Sequence, residues 1–219
     1  MLTLAEELLL LLLDDTTGHL APISRANLTC GLAGAVLMDL DVRGRIRADE
    51  TGLVLRDPTP TGEALLDPTL ARLAAAPAPR DTRAWVRTLA ASGDELYDGA
   101  LASLMARGIL KEVCERFLWV LETRRYPIVD DREQKEAKLR LLSVLLCDSV
   151  PDAHDTALIN LAETCGIFRL ILQARELARA SDRIARVAAL DPIGCATSAV
   201  IREIETETQA AAAMLRGSA

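Results

Sequence analysis

Six consecutive leucines, Leu8 to Leu13, stand between the acid pairs Glu6-Glu7 and Asp14-Asp15. A segment apolar on every side must be enclosed on every side, by a protein core or by lipid. Crossing a bilayer takes roughly 20 apolar residues, and the flanking acids cut this run far short of that. It is therefore read as a core helix around which others must pack. Thr3 is placed to cap it, with Glu6 completing a capping box, and Asp14-Asp15-Thr16-Thr17-Gly18 ends it in a turn.

The rest of the 219-residue chain agrees with a helical core. Half the residues are hydrophobic but only 3% are aromatic, and the abundance of Leu, Ala and Val suits packed helices better than a β-sandwich. A net charge of −7 argues against bulk attraction to DNA or to an anionic membrane, so an anionic partner must be met by a local basic patch. All but three of the 25 basic residues are Arg, the exceptions being Lys111, Lys135 and Lys138. That bias reads as the genome composition of a GC-rich bacterium. Cys30, Cys114, Cys147, Cys165 and Cys195 form no CxxC pair and sit in apolar stretches, which predicts buried thiols rather than disulfides or metal ligands. No signal peptide is recognisable, and the expected compartment is the cytoplasm.

Caps and breakers organise the chain. A second helix is predicted from about Ser24 to Val42, with Gly31, Ala33, Gly34 and Ala35 letting another helix approach closely. After Arg43-Gly44 the period switches to two, and Arg45-Ile46-Arg47 with Leu53-Val54-Leu55 flank the turn Asp49-Glu50-Thr51-Gly52 as a hairpin. Helices follow from about Gly62 to Ala76, around Trp85 to Ala91, and from Asp94 to Arg107. A second hairpin is read with strands at Ile109–Val113 and Phe117–Thr123 and a turn at Cys114-Glu115-Arg116. The arrangement of helix, Arg-Gly and hairpin thus occurs twice. Beyond Asp130 the expected helices are 131–147, 153–164, 167–179, 182–189 and 194–214, with Ser181-Asp182 as one boundary. The whole chain, 1–219, is read as one domain whose tail frays from about Thr206. The fold class is mainly α: a compact multi-helix domain with one or two small β-hairpins, one of them apolar and able to protrude.

Catalytic constellations are not found in the sequence. His19 and His154 have no metal-ligand spacing to each other or to cysteine, and no nucleophile elbow, P-loop or dinucleotide fingerprint occurs. Asp14-Asp15 and Asp130-Asp131 sit at helix ends, where Asp caps or turns the chain. No catalytic residue, metal or cofactor is expected. Two arginine groups are candidates for phosphate: Arg43, Arg45 and Arg47, which alternate on a strand with Arg56 opposite, and Arg175, Arg179, Arg183 and Arg186, which follow helical spacing. The commoner role of such residues is a solvated face paired with Asp or Glu.

The run Phe117-Leu118-Trp119-Val120-Leu121 is the odd element. A strand facing water on one side alternates apolar and polar; this one is apolar throughout. Either the domain buries both faces or one face meets a membrane, a second subunit or another protein, and Trp119 favours the water–lipid boundary.

Several segments resemble the Golgi phosphoprotein 3 family: Leu2-Thr3-Leu4-Ala5-Glu6-Glu7-Leu8-Leu9-Leu10-Leu11, Gly31-Leu32-Ala33-Gly34, Leu40-Asp41-Val42-Arg43-Gly44-Arg45-Ile46, and Pro60-Thr61-Gly62-Glu63-Ala64-Leu65-Leu66-Asp67. So do Gly108-Ile109-Leu110, Tyr126-Pro127 and Arg183-Ile184-Ala185. The matching order over nearly the whole chain identifies it as a member, expected to be bacterial. The resemblance implies a non-enzymatic adaptor that binds phosphatidylinositol 4-phosphate. In that family a Trp and an Arg of the second helix and two Arg of the helix before the Gly-Ile-Leu step hold the head group. Those positions fall here at Ser24, Ala33, Asp94 and Tyr97, none of which keeps the family's residue type. Phe117, Leu118, Trp119 and Val120 occupy the family's membrane-inserting hairpin tip and remain apolar.

The resemblance and the residues together lead to a peripheral membrane protein, cytoplasmic and membrane-associated, that inserts Phe117 to Val120 while Arg116, Arg124 and Arg125 meet anionic lipid heads. Alternatives are a winged-helix-like regulator of nucleic acid, disfavoured by the acidic balance, and an interaction scaffold that forms a homo-oligomer through the hairpin.

Overall fold

A computed structural model describes the backbone of residues 2–49, 52–76, 81–117, 121–147 and 149–217, and their side chains except 114–117, 121–123 and 215–217. The leucine run forms α1 (Leu4–Leu12), all nine residues of which are buried. Its N-terminus carries the predicted capping box: the Thr3 hydroxyl accepts from the Glu6 N–H, and Glu6 accepts from the Thr3 N–H at 2.6 Å. Helix α2 (Arg25–Val42) packs along α1, and α5 (Gly93–Ala106), α6 (Arg132–Leu146) and α7 (Ala153–Thr164) complete the surround. Each enclosed leucine contributes about 1.5–3 kcal/mol of transfer free energy, which makes α1 the axis of the core.

Helix α2 is the second axis, touching α4 (Thr82–Ala90) and α10 (Pro192–Gly217) as well. Its small residues do what their placement predicts. A Cβ on Gly34 would lie 2.6 Å from the Thr197 hydroxyl of α10, so only glycine allows this approach. The hairpin after α2 pairs β1 (Ile46–Asp49) with β2 (Gly52–Leu55) in the expected register, Asp49 opposite Gly52.

Helices α2 and α5 end alike, which accounts for the repeated Arg-Gly in the sequence. Gly44 and Gly108 take φ of 69° and 72°, a conformation costly for residues with a Cβ. The following N–H groups of Arg45 and Ile109 turn back to the carbonyls of Leu40 and Leu104, at 2.8 and 3.0 Å. This closes carbonyls that the helix leaves open. Gly166 after α7 repeats the turn with φ 72°, and Ile167 donates to Ala162 O at 2.8 Å.

Three sequence boundaries need correction. Helix α3 spans Asp67–Ala75 rather than starting near Gly62, because the Asp67 carboxylate gathers the Thr61 N–H (2.7 Å), the Thr61 hydroxyl (2.7 Å) and the Gly62 N–H (3.1 Å) into a cap ahead of it. Near Ser181 the helix does not break: α8 (Phe168–Ile171) is short, and α9 (Ala174–Ala188) runs through Ser181-Asp182. Its start is set by Glu176, which accepts from the Gln173 N–H at 2.8 Å. The second hairpin pairs β3 (Val113–Phe117) with β4 (Leu121–Arg125), Phe117 opposite Leu121. Cys114-Glu115-Arg116 is therefore strand, consistent with its lack of turn-forming residues. The pairing is described as far as Phe117 and Leu121, and Ile109 and Leu110 are buried below the ribbon.

Among the described residues there are ten helices and two two-stranded hairpins, a mainly α fold. Helix α10 continues past Thr206 to Gly217. Cys30 and Cys165 are buried as expected, Cys147 after α6 and Cys195 in the first turn of α10 are exposed, and the Cys114 side chain lies outside the described residues. No single helix among the described residues is long and apolar enough to cross a membrane.

Candidate functional site

Leu118, Trp119 and Val120 lie outside the described residues, and so do the side chains of Arg116 and Phe117. What the structure does describe is the β3–β4 ribbon and its base. Each strand of the β3–β4 ribbon packs chiefly against the other, and five residues of strand span about 16 Å. Below Arg125 the pairing continues through the Leu110–Ile128 bridge and the Lys111 N–H donating to Pro127 O at 3.1 Å.

The ribbon is fastened sideways to the loop after α1. Tyr126 N–H donates to Gly18 O at 2.8 Å, and the Arg125 guanidinium donates to Thr17 O at 3.5 Å. A Cβ on Gly18 would sit 2.3 Å from Pro127 N, so this loop meets the hairpin backbone to backbone. Asp14 shapes the loop by accepting from Thr17 N–H (2.7 Å) and its hydroxyl (2.8 Å) and from Thr16 N–H (3.1 Å). These bonds hold its carboxyl below the usual range. Asp14 thus acts as a turn residue, and Asp15 binds Lys138 at 2.8 Å across to α6.

Arg124 and Arg125 are adjacent on a strand and point to opposite faces. Arg124 is 65% exposed and faces Glu112 at 3.7 Å. Tyr126, half-buried, is bonded to Arg124, and burial raises its phenol above the usual value. Tyr97 of α5 shares this site: burial first, then the neighbouring Tyr126 and Asp98, push its phenol up to about 12. One of the four family positions therefore lies at the hairpin base, a proximity that spacing alone could not show.

The other three are not gathered there. Ser24 is the exposed N-cap of α2, its hydroxyl accepting from the Asn27 N–H at 3.1 Å. Asp94, in the first turn of α5, is ion-paired with Arg25, both mostly exposed. Ala33 is fully enclosed in the core. Arg25, which sequence reasoning passed over, is the basic residue nearest these positions. Ser24 also rims a groove of about 530 Å³ with Asn27, Thr164, Phe168, Arg169 and Leu177. A neighbouring cavity of about 560 Å³ runs from Asp14–Thr17 to Leu170 and Ile171 of α8.

The first arginine group is mostly engaged. Arg43 bonds Asp39 at 3.2 Å, Arg45 pairs with Asp57, and Arg47 and Arg56 are exposed. Of the second group Arg183 is turned inward to the carbonyls of Val144 and Ser149, the latter at 2.7 Å, while Arg175, Arg179 and Arg186 stay exposed. His154 is a core residue whose Nε2 lies 2.9 Å from Glu7 Oε2. His19 is exposed in the α1–α2 loop. Among the described residues no three His, Cys, Asp or Glu side chains gather as a metal would require.

The sequence model of the family described as Golgi phosphoprotein 3 (GPP34) matches residues 4–204. Among curated proteins, vacuolar protein sorting-associated protein 74 of Eremothecium gossypii is 29% identical over 168 residues, which cover 66% of this chain and 49% of that protein. The chain therefore aligns with about half the length of that relative.

Proposed function

Because the chain belongs to the Golgi phosphoprotein 3 family, we propose that it is a non-enzymatic peripheral membrane protein that binds anionic phospholipid and inserts the hairpin tip Phe117-Leu118-Trp119-Val120. The observation that carries this reading is the pairing of Phe117 with Leu121. It brings together the two residues that flank Leu118-Trp119-Val120, at the end of the described ribbon away from the base tied to Gly18 and Thr17. Trp119 suits the interface, where an indole is apolar in body and polar at one edge. Arg116, Arg124 and Arg125, on the two strands beside this segment in the sequence, are proposed to meet the anionic lipid heads.

Specific recognition of phosphatidylinositol 4-phosphate is not part of this proposal. With Ser24, Ala33, Asp94 and Tyr97 in the head-group positions, charge-assisted phosphate contacts of about 1.5–3 kcal/mol each are missing, and Asp94 adds a negative charge. Insertion of the tip and general attraction to anionic lipid remain. The protein would then be cytoplasmic and reversibly membrane-associated.

Liposome co-sedimentation tests the reading. The wild type is expected to pellet with vesicles and a Phe117→Asp, Trp119→Asp double variant to pellet markedly less. Equal pelleting of the two would overturn insertion. Light scattering on the same pair reports whether the tip instead joins two copies of the chain, in which case the variant alone would be monomeric.

A further inference from the structure

Helix α9 is amphipathic in an unusual way. One side, with Ala180, Ile184 and Val187, is buried, and Arg183 fixes its orientation by donating to the carbonyls of Val144 and Ser149 at the end of α6. At 100° per residue, Arg175, Arg179 and Arg186 fall within about 40° of one another on the outer side and span about 16 Å. All three are exposed, as is Arg169 of α8, and none of the four has a carboxylate partner among the described residues. Asp182 is the one acid on the same face. Leu170, 51% exposed, and Leu190, 67% exposed, flank the row at its two ends.

Such a row is uncommon on a chain of net charge −7, where most other basic side chains in the structure lean on an acid. Helix α8 also connects this row to the hairpin. Leu170 and Ile171 share a cavity with Asp14–Thr17, the loop to which the hairpin base is tied. Meanwhile Arg124 and Arg125 of β4 hold contacts with Glu112 and Thr17 at the base of the ribbon.

We propose that the outer face of α9, Arg175, Arg179 and Arg186 with Arg169 and the flanking leucines, is the surface that meets the anionic lipid head groups, with the hairpin as the separate apolar anchor. This rests on the reading of the chain as a membrane-surface protein. A row extending over three turns fits an extended surface of negative charge rather than a single phosphate, and the two exposed leucines fit the acyl boundary just beneath it. Guanidinium groups near an anionic bilayer each contribute roughly fivefold in affinity.

The test measures binding of the full chain to phosphatidylcholine vesicles with and without phosphatidylserine, over a range of salt. An Arg175→Gln, Arg179→Gln, Arg186→Gln variant should lose roughly a hundredfold in affinity for the phosphatidylserine vesicles, lose the salt dependence, and keep whatever binding the wild type shows to phosphatidylcholine alone. The Phe117→Asp, Trp119→Asp variant should show the reverse: weaker binding throughout, with the phosphatidylserine preference retained. Undiminished preference in the arginine variant overturns the proposal while leaving hairpin insertion standing. A wild type with no phosphatidylserine preference overturns it as well. Displacement of bound vesicles by duplex oligonucleotide would assign the row to nucleic acid and overturn the lipid assignment.

Discussion

Arg43 and Arg107, 64 residues apart and each at the end of a helix that turns on glycine, reach the two oxygens of one carboxylate, Glu63, at 3.7 Å each. Arg43 also holds Asp39, which accepts the Leu4 N–H at 2.7 Å, and Arg107 holds the fully buried Glu6 at 3.4 Å. The N-terminus of α1 is therefore closed by two arginines and three carboxylates, with the acids placed where the helix dipole favours them.

Removing one member leaves charge stranded. In Arg107→Ala, Glu6 loses its cation while remaining in the core, and unfolding free energy should fall by about 2–4 kcal/mol. Arg107→Ala combined with Glu6→Gln should recover part of that loss, since the replacement carries no charge. Chemical denaturation of the three proteins measures both. A single variant as stable as the wild type would show that the pair contributes nothing.

Acidity should act in an unexpected direction at α10. Burial raises the Asp191 carboxyl to about 6, against the lowering influence of the Ile193 and Gly194 N–H groups it accepts from. The folded state thus binds a proton more tightly than the unfolded chain does. Its contribution is full below the unfolded value near 4 and is lost as pH rises through about 6, a change on the order of 3 kcal/mol. Asp39 and Asp41 are raised by burial in the same sense. Asp191→Asn keeps a good N-cap and cannot titrate. The stability difference, variant minus wild type, should therefore grow between pH 4 and 6.5, and a flat difference would contradict the assignment.

Gly18→Ala should loosen the hairpin more than the core. Its φ of 71° and the 2.3 Å approach to Pro127 N leave no room for a methyl group, and the cost should exceed 1 kcal/mol. Hydrogen exchange at the Tyr126 amide, which is bonded to Gly18 O, should accelerate while amides of α1 and α2 keep their protection.

Much of this was legible from residue order. A leucine run with no polar face could only be enclosed, and Thr3 with Glu6 announced its start. The mid-helix glycines of α2 foretold close packing against another element, fulfilled by Thr197. The misreadings share a cause, which is that a local signal was weighed without its tertiary partners. Ser181-Asp182 resembles a helix start, but Ala180, Ile184 and Val187 continue one buried stripe that outweighs it. Ile109 and Leu110 look like strand, and they do pair, but with the residues around Ile128 below the hairpin rather than across its tip. At the candidate site, sequence reasoning missed that Tyr97, Tyr126 and Arg124 lie near one another at the foot of the ribbon, because α5 and the end of β4 come together only through the fold. The inward turn of Arg183 was equally invisible, since its partners are backbone carbonyls that no side-chain pattern records.

The fastening of Tyr126 and Arg125 to the loop after α1 also determines how the molecule would bear load. A pull on the ribbon reaches Gly18 and Thr17, and through them the C-terminal end of α1, all of whose residues are buried, as well as the chain leading to α5 and α6. Force on the ribbon is thus handed in part to the leucine core instead of peeling the strands away from one edge.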